Sequence, residues 1–109
     1  MPLIIKGSSG SYGKITGTAR VVLDLEKIGK FNKGDILVTS ATSPSWTPLL
    51  HLASAVVTDV GGVLSHAAIV CREYGIPAVV GTKNGTKLIH DGQKIEVDGK
   101  KGEVRVVDS

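Results

Sequence analysis

The chain alternates short apolar runs with breaks rich in Gly, Ser and Asp. Ile36–Thr39 and Ala55–Thr58 are nearly continuous apolar runs, the pattern of strands buried on both faces. Ala78–Val80 repeats it. Gly13–Leu23 sets Ile15, Ala19, Val21 and Val22 among small polar residues and predicts a strand that can bend at Gly17. Lys94–Val97 and Glu103–Val107 alternate in and out on either side of Asp98-Gly99, which predicts a hairpin. Helices fall between these runs. Asp24 can cap one or two turns reaching Lys30, and Lys33-Gly34-Asp35 is a turn. Ser43 fits the N-cap and Pro44 the first position of a second helix, with Leu49, Leu50, Leu52 and Ala53 as its buried face. A third helix runs from about Ser65 to Tyr74. Its apolar stripe is Ala67, Val70, Cys71 and Tyr74, at i, i+3, i+4 and i+7. Gly75 suits a left-handed C-terminal cap, Ile76 can close back on Cys71, and Pro77 blocks continuation. Residues 1–12 read differently. Leu3-Ile4-Ile5 is a short apolar start, and Gly7–Ser11 is expected to be a loop or linker-like segment. Short strands mixed with short helices imply an α/β domain of two or three layers.

With 109 residues the chain has room for one core, so residues 1–109 are expected to be a single domain. Hydrophobic residues make up 41% and aromatics only 4%, so that core must be aliphatic. Thirteen Lys and Arg against ten Asp and Glu leave a net charge of +3. The basic residues form no compact run and lack aromatics to stack on bases, which argues against nucleic acid as a partner. The single Cys71 rules out an internal disulfide and a Cys-based zinc cluster. No apolar run reaches the roughly 20 residues needed to span a bilayer, and the N-terminus lacks a secretory apolar segment. A cytoplasmic location, away from membranes, is therefore expected.

Chemistry concentrates in residues 56–82, which read as strand, Gly-rich turn, helix, stop and strand. Every position of the 65–77 segment has a local structural reason except His66. Ser65 can cap the helix, which puts His66 in its first turn. Unpaired amides and partial positive charge at that end favour an anion. Gly61 and Gly62 allow a close backbone approach. The positive helix end disfavours an imidazolium, and a neutral imidazole is a nucleophile. A transferred phosphoryl group would find its charge already accommodated, since such transfer needs mainly positioning and charge stabilisation. The same residues also fit a structural, hydrogen-bonding histidine. His51 and His90 lack acidic or Cys partners at metal-binding spacing and read as surface or capping residues.

Residues Gly61 to Glu73, reading Gly-Gly-Val-Leu-Ser-His-Ala-Ala-Ile-Val-Cys-Arg-Glu, resemble the signature of the phosphoenolpyruvate-utilising enzymes. The resemblance is to their swivelling phosphohistidine domain, as in pyruvate, water dikinase (phosphoenolpyruvate synthase), pyruvate phosphate dikinase and enzyme I of the sugar phosphotransferase system. Gly75–Gly81, Gly34–Val38, Thr42-Ser43-Pro44-Ser45-Trp46 and Asp91-Gly92 extend the match over about residues 13–107. The Thr42–Trp46 segment leans toward the pyruvate, water dikinase branch or the rifampicin phosphotransferases. The resemblance implies a swivelling β/β/α fold, with layered mixed sheets and short helices. It also implies phosphorylation on His66, with Gly61, Gly62, Ser65 and Ala67 forming the phosphate loop. Thr42, Asp59 and Arg72 are candidate supporting residues. Asp59 can orient the loop or accept from the imidazole, and Arg72 can pair with Glu73 or Asp59 or act on the phosphate. Two positions depart from the pattern. Leu64 stands where many relatives carry a Thr, in some a site of regulatory phosphorylation, and Cys71 stands where Ala is usual.

The chain carries no nucleotide-binding Gly/Lys loop, no Arg cluster and no paired carboxylates for Mg²⁺ beside His66. In the family those parts sit on other domains. The implied function is a phosphoryl carrier that shuttles between a phosphoenolpyruvate or pyruvate site and a nucleotide or other acceptor site on partner domains. The chain itself would bind no cofactor, and Mg²⁺ would enter with the partners. It would be a component of a phosphotransferase rather than an enzyme active alone. The rival readings are a catalytically silent docking module and a complete small phosphatase or kinase.

Overall fold

The computed structural model describes residues 3–107. Eight strands form its frame: β1 (Leu3–Lys6), β2 (Ser8–Ser11), β3 (Lys14–Val21), β4 (Ile36–Thr39), β5 (Ala55–Thr58), β6 (Ala78–Val80), β7 (Lys94–Asp98) and β8 (Glu103–Val106). Three helices join them: α1 (Thr47–Leu52), α2 (His66–Tyr74) and α3 (Gly85–Leu88). The strands lie in the order β1-β8-β7-β3-β4-β5-β6-β2. The β3-β4-β5-β6 run is parallel, and the flanking strands pair antiparallel. β3 hands over between the two halves, pairing with β7 over Lys14–Thr18 and with β4 over Ala19–Val21.

Burial divides the molecule into three layers. Ile36, Val38, Ala55, Val57 and Val79 of the parallel strands pack with Ile5, Ile95, Val97, Val104 and Val106 of the antiparallel half. The opposite-facing Leu37, Val56, Ala78 and Val80 pack with Leu49, Leu50, Ala67, Ala68 and Cys71 of the helices. β4 and β5 are therefore buried on both faces, which their unbroken apolar runs require. The outcome is the β/β/α layering expected of the chain.

The linker-like reading of residues 1–12 is corrected by the structure. Residues 3–6 and 8–11 are strands, while residues 1 and 2 lie outside the described region. β1 pairs with β8 and β2 with β6. The Ser-Gly composition of β2 conceals a packing demand. The β7–β8 turn lies so close to β2 that a Cβ on Gly99 would stand 1.8 Å from the Ser11 carbonyl oxygen, and one on Gly102 3.0 Å from the Gly7 oxygen and the Ser9 nitrogen. Gly7 N–H donates to Gly102 O (2.8 Å) and Gly99 N–H to Gly13 O (2.7 Å). Glycine is needed on the turn side of this clasp, which lies against the backbone of the β2 edge strand.

Three other expectations change in detail. The second helix begins as a 3-10 turn at Pro44–Trp46, and Ser43 makes no side-chain cap bond there. Leu52 at its end is exposed. Tyr74, expected on the core stripe, stands partly in solvent and stacks on His51 with ring centroids 4.1 Å apart. α3 was not foreseen in the sequence. Its four residues are held by Asp59 and Thr82 rather than by an amphipathic period of their own.

Candidate functional site

The loops that follow β4, β5 and β6 leave the sheet together at the carboxyl ends of parallel strands, where open α/β sheets present their ligand sites. The β5–α2 loop carries Gly61–Ser65. Gly61 has φ +123°, and a Cβ there would lie 2.9 Å from the Ser65 Cβ. Only glycine fits. Gly81, after β6, packs on the same loop: its Cβ would come within 2.7 Å of Gly61 O. Gly62 faces open space, and its carbonyl accepts from Ser65 N–H (3.0 Å) to close the turn. The two adjacent glycines thus do different work.

Ser65 is the N-cap of α2, with its Oγ accepting from Ala68 N–H at 3.4 Å and its carbonyl accepting from Ile69 N–H at 3.0 Å. The amides of His66 and Ala67, in the first turn of the helix, find no acceptor among the described residues. At the other end Gly75 takes the left-handed conformation (φ 71°), and the Gly75 and Ile76 amides both donate to Cys71 O. Ala67, Ala68 and Cys71 are buried against β5, β6 and β2. The helix is thereby anchored with its N-terminus free.

The half-buried His66 meets Thr42, from the loop after β4, with Thr42 Oγ1 2.8 Å from His66 Nδ1. This contact orients the ring and leaves Nε2 as the nitrogen without a partner among the described residues. Of the three candidate supporting residues, Thr42 is the one brought to the imidazole. Asp59 is not. Its carboxylate accepts from Thr86 N–H (2.9 Å) and from the Thr86 hydroxyl, so it holds α3 rather than the imidazole or the glycine loop. Arg72 makes neither expected ion pair. It lies six residues along α2, about 9 Å down the axis at about 1.5 Å per residue, and donates to Gly10 O of β2 at 2.7 Å. It therefore ties the helix to the edge strand, remote from His66. His51 and His90 are both exposed, and His51 is spent on its Tyr74 stack.

The Cys71 thiol is pushed up to about 12 by burial, against a smaller opposing effect of the Arg72 charge. It is a core group and not a nucleophile. Among the described residues no group of three or more His, Cys, Asp or Glu side chains converges to hold a metal. Both oxygens of Asp59, the acid nearest in sequence to the loop, are already committed to Thr86. No helix among the described residues is long and apolar enough to cross a membrane.

Sequence reasoning missed two contributors. Gly81 is required by its contact with Gly61, and Thr86 consumes Asp59. Gly81 left a signal, the Gly that ends the Ala78–Gly81 run. Thr86 left none.

Residues 31–102 match the family model of the PEP-utilising enzyme, mobile domain. The chain is 51% identical to the rifampicin phosphotransferase of Bacillus subtilis (strain 168), a match covering 94% of the chain and 12% of that protein. It is 48% identical to the phosphoenolpyruvate synthase of Aeropyrum pernix, covering 94% of the chain and 13% of the relative. It thus spans about an eighth of the length of these relatives. Among solved structures, an NMR structure of an Enzyme I protein (nEIt) superposes with TM-score 0.63 at 34% identity, covering 72% of this chain and 33% of that one. The fold, the glycine-capped loop and the sequence agree, and the chain belongs to the family of PEP-utilising enzyme mobile domains.

Proposed function

We propose that the chain is a phosphoryl carrier that accepts a phosphoryl group on Nε2 of His66. The observation that carries this reading is the Thr42–His66 contact at the free N-terminus of α2. In this reading Nδ1–H donates to Thr42 Oγ1, the tautomer whose Nε2 lone pair is available for attack. That lone pair attacks phosphorus in line, the N–P bond forms, and the bond from phosphorus to the donor's leaving oxygen breaks with its electron pair. The His66 and Ala67 amides and the helix dipole then face the new charge. Reversal toward a second oxygen acceptor completes the shuttle.

The donor and acceptor sites belong to partner domains, one binding phosphoenolpyruvate or pyruvate and one binding a nucleotide, and Mg²⁺ is expected there. The only basic side chain between Gly34 and Thr82 is Arg72, and it is bound to Gly10. Even with Lys83 following at the rim, so few cations cannot concentrate and clamp polyanionic donors, so the chain is not expected to turn over alone. The rifampicin phosphotransferase relatives favour an antibiotic hydroxyl as a second reading of the final acceptor. The test is intact-mass analysis of the chain after incubation with phosphoenolpyruvate or ATP and the partner domains of a relative. One acid-labile, alkali-stable phosphoryl group, absent in His66→Ala, is expected. A label that survives acid or persists in His66→Ala would overturn the reading. Steady pyruvate release by the lone chain, lost in His66→Gln, would make it a complete enzyme instead.

A further inference from the structure

Lys83 is the one non-glycine with a positive φ among the described residues, at 71°. A lysine has no local reason to sit there. Its side chain cannot bond the backbone as Asn or Asp does in this region, and glycine would adopt it without penalty. Tertiary contacts impose the conformation. Lys83 N–H donates to Asp59 O (2.8 Å), Thr82 N–H donates to Thr58 O (3.0 Å), and Thr82 Oγ1 accepts from Gly85 N–H (3.1 Å). The segment that leads from β6 through Lys83 into α3 is thus locked to the end of β5, two residues past Gly81, which packs on Gly61.

The charge inventory makes the position informative. A phosphorylated His66 adds close to two negative charges at a site whose own loops, Ser40–Thr47 and Asp59–Ala67, contain no Lys or Arg. Arg72 is bound to Gly10. Lys83 is the cation carried by the third loop of the same sheet edge. It is exposed and makes no ion pair among the described residues. Backbone strain held at the rim of a site is the kind of outlier that points to use.

We propose that Lys83 is an anion-facing residue of the His66 site, its ammonium directed over the Gly61–Ser65 loop to hold the phosphoryl group as it arrives and departs. The proposal rests on the reading of His66 as phosphoryl acceptor, but anion binding tests it separately.

The 109-residue chain and its Lys83→Gly, Lys83→Arg and Lys87→Ala variants would be titrated with inorganic phosphate, following the His66 and Ala67 amides by NMR. They would then be labelled with phosphoramidate as a small phosphoryl donor. Lys83→Gly should melt about 4–8 °C higher as the strain is relieved. It should also need at least fivefold more phosphate for half-saturation and label His66 at least fivefold more slowly. Lys83→Arg should stay within twofold of wild type in both. Lys87→Ala removes the same charge from α3 and should change neither. Equal phosphate saturation in wild type and Lys83→Gly overturns the proposal, as does an equal loss in Lys87→Ala. Phosphate binding that depends on Lys83 in a wild-type chain that never labels on His66 would keep this inference and reject the acceptor role.

Discussion

Thr42 and His66 stand 24 positions apart in the chain, yet Oγ1 of one lies 2.8 Å from Nδ1 of the other. The pairing arises because β4 and β5 are parallel neighbours in register, Ile36 with Ala55 through Thr39 with Thr58, so their following loops emerge side by side. A hydroxyl on one loop orients a ring on the next. Replacing Thr42 by Val removes the hydroxyl and keeps the shape. His66 labelling in the presence of partner domains should slow about tenfold, the scale of a small misplacement of a reacting group. Thr42→Ser should restore most of the rate, and neither variant should shift the melt by more than a few degrees. A Thr42→Val chain that labels at the wild-type rate would remove Thr42 from the mechanism.

The two adjacent glycines should respond in opposite ways. Gly61→Ala forces a Cβ into Ser65 at a φ of +123° and should cost about 1–3 kcal/mol. It should also slow labelling by displacing the N-cap of α2. Gly62→Ala meets open space and should stay within about 0.5 kcal/mol of wild type. Denaturant melts of the pair check this, and equal losses would contradict the loop geometry.

Gly99 offers a test of the clasp far from the site. An alanine Cβ there would sit 1.8 Å from Ser11 O, with backbone on both sides and no flexible side chain to yield. Gly99→Ala should lose about 2–3 kcal/mol, roughly 10 °C or more in melting temperature for a domain of this size. A shift of only a degree or two would mean that β2 is not held as described.

The contrast between what was and was not legible follows from where each signal lives. α2 could be read in full because its determinants are local: Ser65, the apolar stripe, Gly75 and Pro77 all lie within one helix length. His66 stood out because nothing local explained it. β1 and β2 were missed because their reasons are remote. Ser8–Ser11 has no strand-like composition; Gly10 is demanded by Ala78 and Val80 of β6, and the β2 backbone is met by Gly99 and Gly102, some ninety positions away. Asp59 and Arg72 were misjudged for the same reason. Their partners, Thr86 and Gly10, carry no charge to advertise the contact. Only the register of β4 on β5 places Thr42 at the imidazole.

Cys71 yields a prediction in pH. Its thiol titrates near 9 when exposed and is pushed up to about 12 by burial in the folded chain. The folded state therefore binds the proton more tightly than the unfolded state does. The stability this contributes is complete below pH 9 and is lost as pH rises from 9 toward 12. Alkylation by iodoacetamide at pH 8 should be undetectable in the native chain and rapid in denaturant. Cys71→Ala should flatten the alkaline part of the stability curve. Ready labelling of native Cys71 at pH 8 would show that the α2–sheet layer opens far more easily than its packing implies.

The pairing of β1 with β8 bears on how the domain answers to load. Leu3 faces Val106 and Lys6 faces Glu103, so the two ends of the described chain lie side by side across one antiparallel ladder. A pull applied at those ends runs across the ladder rather than along it, and its hydrogen bonds are strained one pair at a time from the Leu3–Val106 end inward. Such a geometry peels open at low force, whereas strands pulled lengthwise past one another must break their bonds together. Tension on its ends would therefore detach β1 first, while the parallel strands that carry Thr42, Gly61 and His66 stay outside the line of force.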